Sequence, residues 1–202
     1  NPFRGFASLQ PPENFLSYFA FDGDFTTDGH IDQLIKKWEA HLGDWKENDP
    51  TWKEDKGKEI IGALNYLSSK GLNSVSFITN NIKGDDRNVF PYINYNTYDR
   101  FDCSKLDQWE IVFQHAQDLG IFHHFKTLEA ENQGLLDHGG IGGLTKLYYR
   151  ELVARFGHHL ALNWNLCEEV GDWGKFRYLP TIPWDVAARR SLTKYIYLNI
   201  DK

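Results

Sequence analysis

Methionine is absent from this 202-residue chain, and cysteine occurs only twice, at Cys103 and Cys167. The missing methionine, with Asn1 in first place, suggests an excised or partial piece, so no localisation follows from the lack of a leader. Two cysteines allow at most one bridge, leaving a disulfide or two free, partly buried thiols as the alternatives. No apolar run approaches the ~18 residues of a membrane span, and no charged segment followed by an apolar stretch opens the chain. Neither a spanning helix nor an intact signal peptide is expected, and a membrane is not among the expected partners. Positive charge is scarce as well: 22 Lys and Arg against 28 Asp and Glu give a net charge of −6. With no basic cluster denser than Arg189-Arg190, nucleic acid is excluded as a partner and a neutral or sparsely charged substrate is favoured. What is present is 41% apolar and 25% charged residues, enough for one sizeable core and against disorder.

After a proline-marked opening (Pro2, Pro11, Pro12) the pattern alternates between helix and strand signals. Lys58 to Lys70 carries Ile60, Ile61, Leu64 and Leu67 at helical spacing and stops at Gly71. Ser74 to Thr79 is rich in strand formers. Leu106 to Leu119 is a second helix, with Trp109, Val112, Phe113 and Ala116 as its buried stripe, Ser104 as its cap and Gly120 as its stop. A strand at Ile121 to Lys126, a helix at Leu144 to Phe156, a strand at 160 to 166 and a helix at Trp184 to Leu198 follow. Helices at a repeat of roughly 40 residues, each joined by a short turn to the next strand, are βα units. The loops after strands (Asn80 to Cys103, Thr127 to Gly143, Cys167 to Pro183) are long and those after helices short. That asymmetry belongs to a (β/α) barrel or a doubly wound sheet, with function on the long-loop side. A complete (β/α)8 TIM barrel takes about 250 residues, so the expected fold is an α/β barrel of which residues 1–202 supply the N-terminal half, about strands 1 to 4.

The segment Leu160-Ala-Leu-Asn163-Trp-Asn165-Leu-Cys167-Glu168-Glu169 is an apolar run ending in two carboxylates after two asparagines, which delivers an acid to the end of a buried strand. Desolvation and a second carboxylate raise a carboxyl pKa there, as a general acid requires. Glu169 is the leading catalytic candidate. For Glu168 a structural pairing with Arg155 or Arg177 is the stronger expectation. Asn163 and Asn165 are candidates to line the same cleft, or buried amides that close a loop. Asn80 and Asn81, after the second strand, are placed for sugar hydroxyls. Only one of His123 and His124 can point into a barrel, which disfavours a paired metal site on that strand; Glu131 and Asn132 lie just beyond. Trp45, Trp52, Phe90, Tyr92, Tyr95, Tyr98 and Trp173 fall in predicted strand-to-helix loops, where flat rings suit the CH faces of sugars or pack their own loop. Asp22 to Gly29 misses the calcium-loop spacing and reads as an acidic surface loop. Gly139-Gly140-Ile141-Gly142-Gly143 has no strand directly before it and no Walker lysine, and reads as a loop hinge.

Several motifs together carry a resemblance: Pro12-Glu13-Asn14-Phe15, Asp44-Trp45, Asp49-Pro50-Thr51-Trp52, Gly57-Lys58, Gly62-Ala63-Leu64-Asn65-Tyr66-Leu67, Ser104-Lys105-Leu106-Asp107-Gln108-Trp109, Glu131-Asn132, Tyr149-Arg150-Glu151-Leu152, Arg155-Phe156-Gly157-His158 and Asn163-Trp164-Asn165-Leu166. Over nearly the whole chain these resemble bacterial glycoside-hydrolase-like proteins that carry a DUF5060 domain, which are similar to the apiosidase-like (β/α)8 barrels of glycoside hydrolase clan A. The flanking β-sandwich domains of such proteins are not visible in residues 1–202. The resemblance implies a retaining two-carboxylate mechanism, with an acid/base Glu at the end of strand four and a nucleophilic Glu on strand seven. Asn165-Leu166-Cys167-Glu168-Glu169 matches the strand-four position, and the choice between Glu168 and Glu169 stays open, with Glu169 favoured. The clan places Asn directly before the acid/base, whereas Glu168 or Cys167 stands there here. Strand seven would lie beyond Lys202, so this chain alone is expected to be inactive.

The resulting expectation is a secreted or periplasmic hydrolase of plant or algal polysaccharide or oligosaccharide, using no cofactor and no metal. Asn132, Asn165 and His123 would orient the sugar, and loop rings such as Trp45 would supply platforms. The alternatives are a catalytically incomplete carbohydrate-binding barrel and a metal-dependent hydrolase using His123, Glu131 and Glu169.

Overall fold

The computed structural model describes residues 7–8, 39–53, 55–82, 89–168 and 186–200. Four parallel strands lie in the order β1 (Ala7–Ser8), β2 (Ser74–Ile78), β3 (Phe122–Lys126) and β4 (Leu162–Asn165). Spatial order therefore follows chain order. The register pairs Ala7 with Val75, Phe77 with Phe125, and Lys126 with Asn165. Between and after the strands run α1 (Lys58–Ser69), α2 (Cys103–Asp118), α3 (Gly143–Phe156) and α4 (Val186–Tyr195), the last continuing as a π-helical turn over Ile196–Ile200.

Side-chain alternation along the strands sorts the sheet into two faces. Phe77 stacks on Phe113 of α2 at 4.5 Å between ring centroids, and Phe125 lies 4.2 Å from Phe77, 5.9 Å from Phe156 of α3 and 4.9 Å from Trp164. Leu64 of α1 shares a small apolar cavity with Val75, Phe77, Val112 and Phe113. Thus α1, α2 and α3 all cover the face that carries Val75, Phe77, His123, Phe125 and Trp164. Each fully buried ring or aliphatic chain in this layer is worth roughly 1.5–3 kcal/mol. The second face carries Ser74, Ser76, Ile78, Phe122, His124, Lys126, Asn163 and Asn165, and is mostly polar.

Local chemistry explains where the helices begin. The α1 N-cap is Gly57 at φ 91°, and a Cβ there would stand 2.3 Å from the Trp52 ring, so the position accepts neither a side chain nor an L-residue's usual backbone. Five residues on, a Cβ at Gly62 would meet the His41 carbonyl at 2.0 Å, because the 3-10 helix Glu39–Asp44 lies directly on α1. Asn65 fastens that contact: its Nδ2 donates to the Asp44 carbonyl at 2.9 Å and to Asp49 Oδ2 at 2.7 Å, while its Oδ1 lies 2.9 Å from His115 Nε2 on α2. The cap of α2 is Asp102, not Ser104: Asp102 Oδ1 accepts from the Lys105 amide at 3.0 Å. The helix consequently starts at Cys103, three residues before the expected start at Leu106.

Neither cysteine forms a disulfide; Cys103 is exposed and Cys167 buried. The glycine-rich hinge is held by Asp137, whose Oδ2 accepts from the Thr145 amide at 2.7 Å in the first turn of α3. The acidic loop Asp22 to Gly29 lies outside the described residues, and no described helix is long and apolar enough to cross a membrane.

Candidate functional site

β2, β3 and β4 end level, at Ile78, Lys126 and Asn165, and their ends are tied by hydroxyls. Thr79, directly after β2, places Oγ1 2.7 Å from the Tyr148 hydroxyl and 3.0 Å from the Thr127 carbonyl that accepts from it. One strand over, Thr127 Oγ1 donates to the Leu166 carbonyl at 2.6 Å and sits 2.9 Å from the Tyr149 hydroxyl. Tyr148 also donates to the Thr127 carbonyl. Burial pushes both tyrosine pKa values up, so these phenols stay protonated and act as donors. Two equivalent threonines, two adjacent tyrosines and the carbonyls between them make a rigid floor at the end where the strands finish.

On the second face beside that floor lies a polar cluster. Asn165 Oδ1 accepts from the Cys167 amide at 3.2 Å, which fixes the amide's orientation; Nδ2 then donates across 3.3 Å to His124 Nε2. His124 is accordingly neutral with its proton on Nδ1, and burial followed by the charge of Lys126 lowers its pKa. The Asn165 turn also breaks strand alternation. It lets Cys167 drop into the core (1% exposed), while Glu168 comes back to the polar face, its amide donating to the Leu128 carbonyl at 2.8 Å. Glu168 Oε1 there meets Lys126 Nζ at 2.7 Å, with side-chain exposures of 26% and 12%. The expected arginine partners are engaged elsewhere or undescribed: Arg155 bonds Glu151 at 2.6 Å and Asp107 at 3.1 Å, and Arg177 lies outside the described residues. So does Glu169.

His123 is a correction. It points away from this cluster into the helix layer, 1% exposed, 5.7 Å from the Phe113 ring and 5.2 Å from His159. Neither ring nitrogen has a hydrogen-bond partner among the described residues, and burial, then His159, pull its pKa down to about 3. Strand phase is the reason: His123 shares the parity of Phe125, and His124 that of Lys126. A sugar-orienting His123, or a metal set of His123, Glu131 and Glu169, does not fit this geometry.

Asn80, Asn81 and Asn132 are buried rather than presented to a cleft. Asn80 Oδ1 accepts from the Ile82 amide at 3.3 Å, and its carbonyl accepts from Asn132 Nδ2 at 3.3 Å and from the Glu129 amide at 3.1 Å. Asn81 Oδ1 accepts from the Val89 amide at 2.6 Å. These amides close the bases of their loops, because a chain leaving a buried strand must satisfy backbone groups that the ladder no longer serves. Glu131 is part-buried in the 3-10 turn Ala130–Asn132, and Asn163 is exposed on the polar face.

Three of the loop aromatics take the packing alternative. Phe90, Tyr92 and Trp52 are core residues at 1%, 0% and 8% exposure. Tyr92 packs against Tyr98, Phe101 and Tyr148 at 5.3–6.2 Å, and burial raises its hydroxyl pKa. Lys105 holds the loop from beneath, Nζ donating to the Phe90 and Tyr92 carbonyls at 3.0 and 2.8 Å. Trp45 lies part-buried with Lys58 Nζ 4.4 Å from its ring; Trp173 lies outside the described residues. Lys126 on the polar face and the Thr79/Thr127 pair at the strand ends were not singled out from sequence, and His124 was weighed only as the alternative to His123. Alternation from Phe125, and the identical position of the two threonines just past paired strands, are the signals that mark them.

No family model, curated protein or solved structure matches this chain.

Proposed function

We propose that this chain forms strands one to four of a (β/α)8 barrel and carries the acid/base half of a retaining glycoside hydrolase. One observation carries the reading: a parallel sheet in the order β1-β2-β3-β4, with α1, α2 and α3 on one face and a polar row of His124, Lys126, Asn163 and Asn165 on the other. A doubly wound sheet reverses its strand order and places helices on both faces. A barrel keeps sequential order and turns its second face inward. The polar row is then the lining of the barrel, and the β4 exit is the lip of the sugar cleft.

In this reading Glu169 is the acid/base. Glu168 is held by Lys126 and neutralises it, so no uncompensated ammonium stands beside the neighbouring carboxyl to drive it toward ionisation. Glu169 protonates the glycosidic oxygen as the bond to the anomeric carbon breaks, and then takes a proton from the water that releases the sugar. A second carboxylate, about 5–5.5 Å away on a seventh strand outside residues 1–202, is the nucleophile. Asn163 and Asn165 meet sugar hydroxyls from the barrel lining, with His124 fixing the orientation of Asn165. The substrate is a neutral plant or algal polysaccharide or oligosaccharide met outside the cell or in the periplasm.

The test is reducing-sugar release from a panel of plant and algal polysaccharides by a protein carrying all eight strands. Turnover that Glu169→Gln lowers at least 100-fold, with glycan binding kept, supports the reading. Binding without release by the unsubstituted protein replaces it with a carbohydrate-binding barrel.

A further inference from the structure

At the opposite end of the sheet, where the strands begin, three side chains converge from two parts of the chain. Glu110 stands midway along α2, and His158 and His159 form the turn between α3 and β4. His158 Nε2 lies 3.1 Å from Glu110 Oε1, and His159 Nε2 lies 3.2 Å from Glu110 Oε2. One ligand atom from each of the three falls within 4.8 Å of the other two. Tetrahedral coordination with bonds of about 2.0–2.1 Å separates neighbouring ligand atoms by about 3.3 Å, which each histidine already meets against one Glu110 oxygen.

The hydrogen bonds around His159 give the stronger argument. Its Nδ1 is 3.3 Å from Gln117 Oε1, and the Leu160 amide donates to the same oxygen at 2.8 Å. The Leu160 N–H identifies that atom as the amide oxygen, which only accepts. His159 is therefore oriented through Nδ1 by Gln117, and its Nε2 faces the Glu110 carboxylate. At 3.2 Å the nitrogen and the carboxylate oxygen are spaced as two ligands of one cation would be, and the His159 side chain is wholly buried. An imidazole oriented through Nδ1 by an amide oxygen, with Nε2 free for coordination, is the usual arrangement of a histidine ligand.

We propose that Glu110, His158 and His159 bind a divalent transition-metal ion of the zinc class, with Gln117 as the positioning residue. Nitrogen and carboxylate donors suit zinc, and hard cations such as magnesium and calcium prefer all-oxygen sets. The exposed side of His158 (55%) leaves room for water at the fourth position. The ion would clip α2 to the α3–β4 turn, away from the polar face described above. The proposal does not depend on the glycosidase reading.

The test is titration of the metal-free full chain with Zn2+, followed by calorimetry, and with Co2+, followed by its visible absorption. The expected result is one equivalent bound, with cobalt bands of a low-coordinate nitrogen and oxygen site. At a hundredfold excess of Zn2+ over Kd, Tm should rise by about 5–10 °C. His158→Ala, at an exposed position, should leave the metal-free Tm unchanged yet weaken binding at least 10-fold, and Gln117→Ala should weaken it about 10-fold. Absence of saturable binding, or binding that His158→Ala leaves intact, overturns the site and leaves a plain His159–Glu110 hydrogen bond.

Discussion

Breaking the Lys126–Glu168 ion pair reads the geometry of the strand ends most completely. The charges meet at 2.7 Å with only 12% and 26% of the two side chains exposed. At an effective dielectric of ~20, two unit charges about 4 Å apart attract by roughly 4 kcal/mol. Dehydrating the ammonium and fixing two long side chains offset much of this. A net coupling of about 1–2 kcal/mol remains, above the ~0.2–1 kcal/mol of exposed pairs. The assay is a double-mutant cycle of Lys126→Met, Glu168→Gln and both together, followed by urea unfolding at constant m. A coupling below about 0.3 kcal/mol refutes the argument. Glu168 would then be a free carboxyl at the cleft, with no reason to rank it behind Glu169.

Lys105→Met leaves the Phe90 and Tyr92 carbonyls without their buried donor, and should cost about 2–4 kcal/mol in urea unfolding; a loss under ~1 kcal/mol means that the 89–101 loop does not depend on that ammonium. Gly62→Ala gains about 1 kcal/mol of helix propensity, but its methyl meets the His41 carbonyl at 2.0 Å. A net loss of about 2–3 kcal/mol is expected, with faster proteolysis of 39–53, and a stabilised protein would contradict the packing of that segment on α1.

The regular elements were legible because burial and periodicity coincide in them. Ile60, Ile61 and Leu64, then Trp109, Val112 and Phe113, bury the faces that their spacing announces, so both helices were expected within a few residues of their observed bounds. Errors arose where one local contact decides. Asp102 took the cap from Ser104 because the chain is already extended at Asp102 (φ −89°, ψ 97°), a fact about dihedrals rather than spacing. His123 and His124 obey the expected alternation, but its phase is set by Phe125 meeting α3, a contact 31 residues away in sequence. Of the loop aromatics, open between platform and packing roles, Phe90 and Tyr92 turn inward where Lys105, on the following helix, gathers their carbonyls. Glu168 was legible as lying just past a strand end, whereas its return to the polar face depends on Asn165 capping the Cys167 amide.

The most direct test of the central claim uses the eight-stranded protein, an activated aryl glycoside and a natural polysaccharide. A good leaving group departs without a proton, so loss of an acid/base spares its departure and slows hydrolysis of the polysaccharide far more. The account predicts that Glu169→Ala keeps the first, glycosylation step on the aryl substrate, that azide restores its turnover, and that Glu168→Gln slows the polysaccharide by less than about 10-fold. Equal losses on both substrates in Glu169→Ala, or the aryl-sparing pattern in Glu168→Gln instead, would contradict the account.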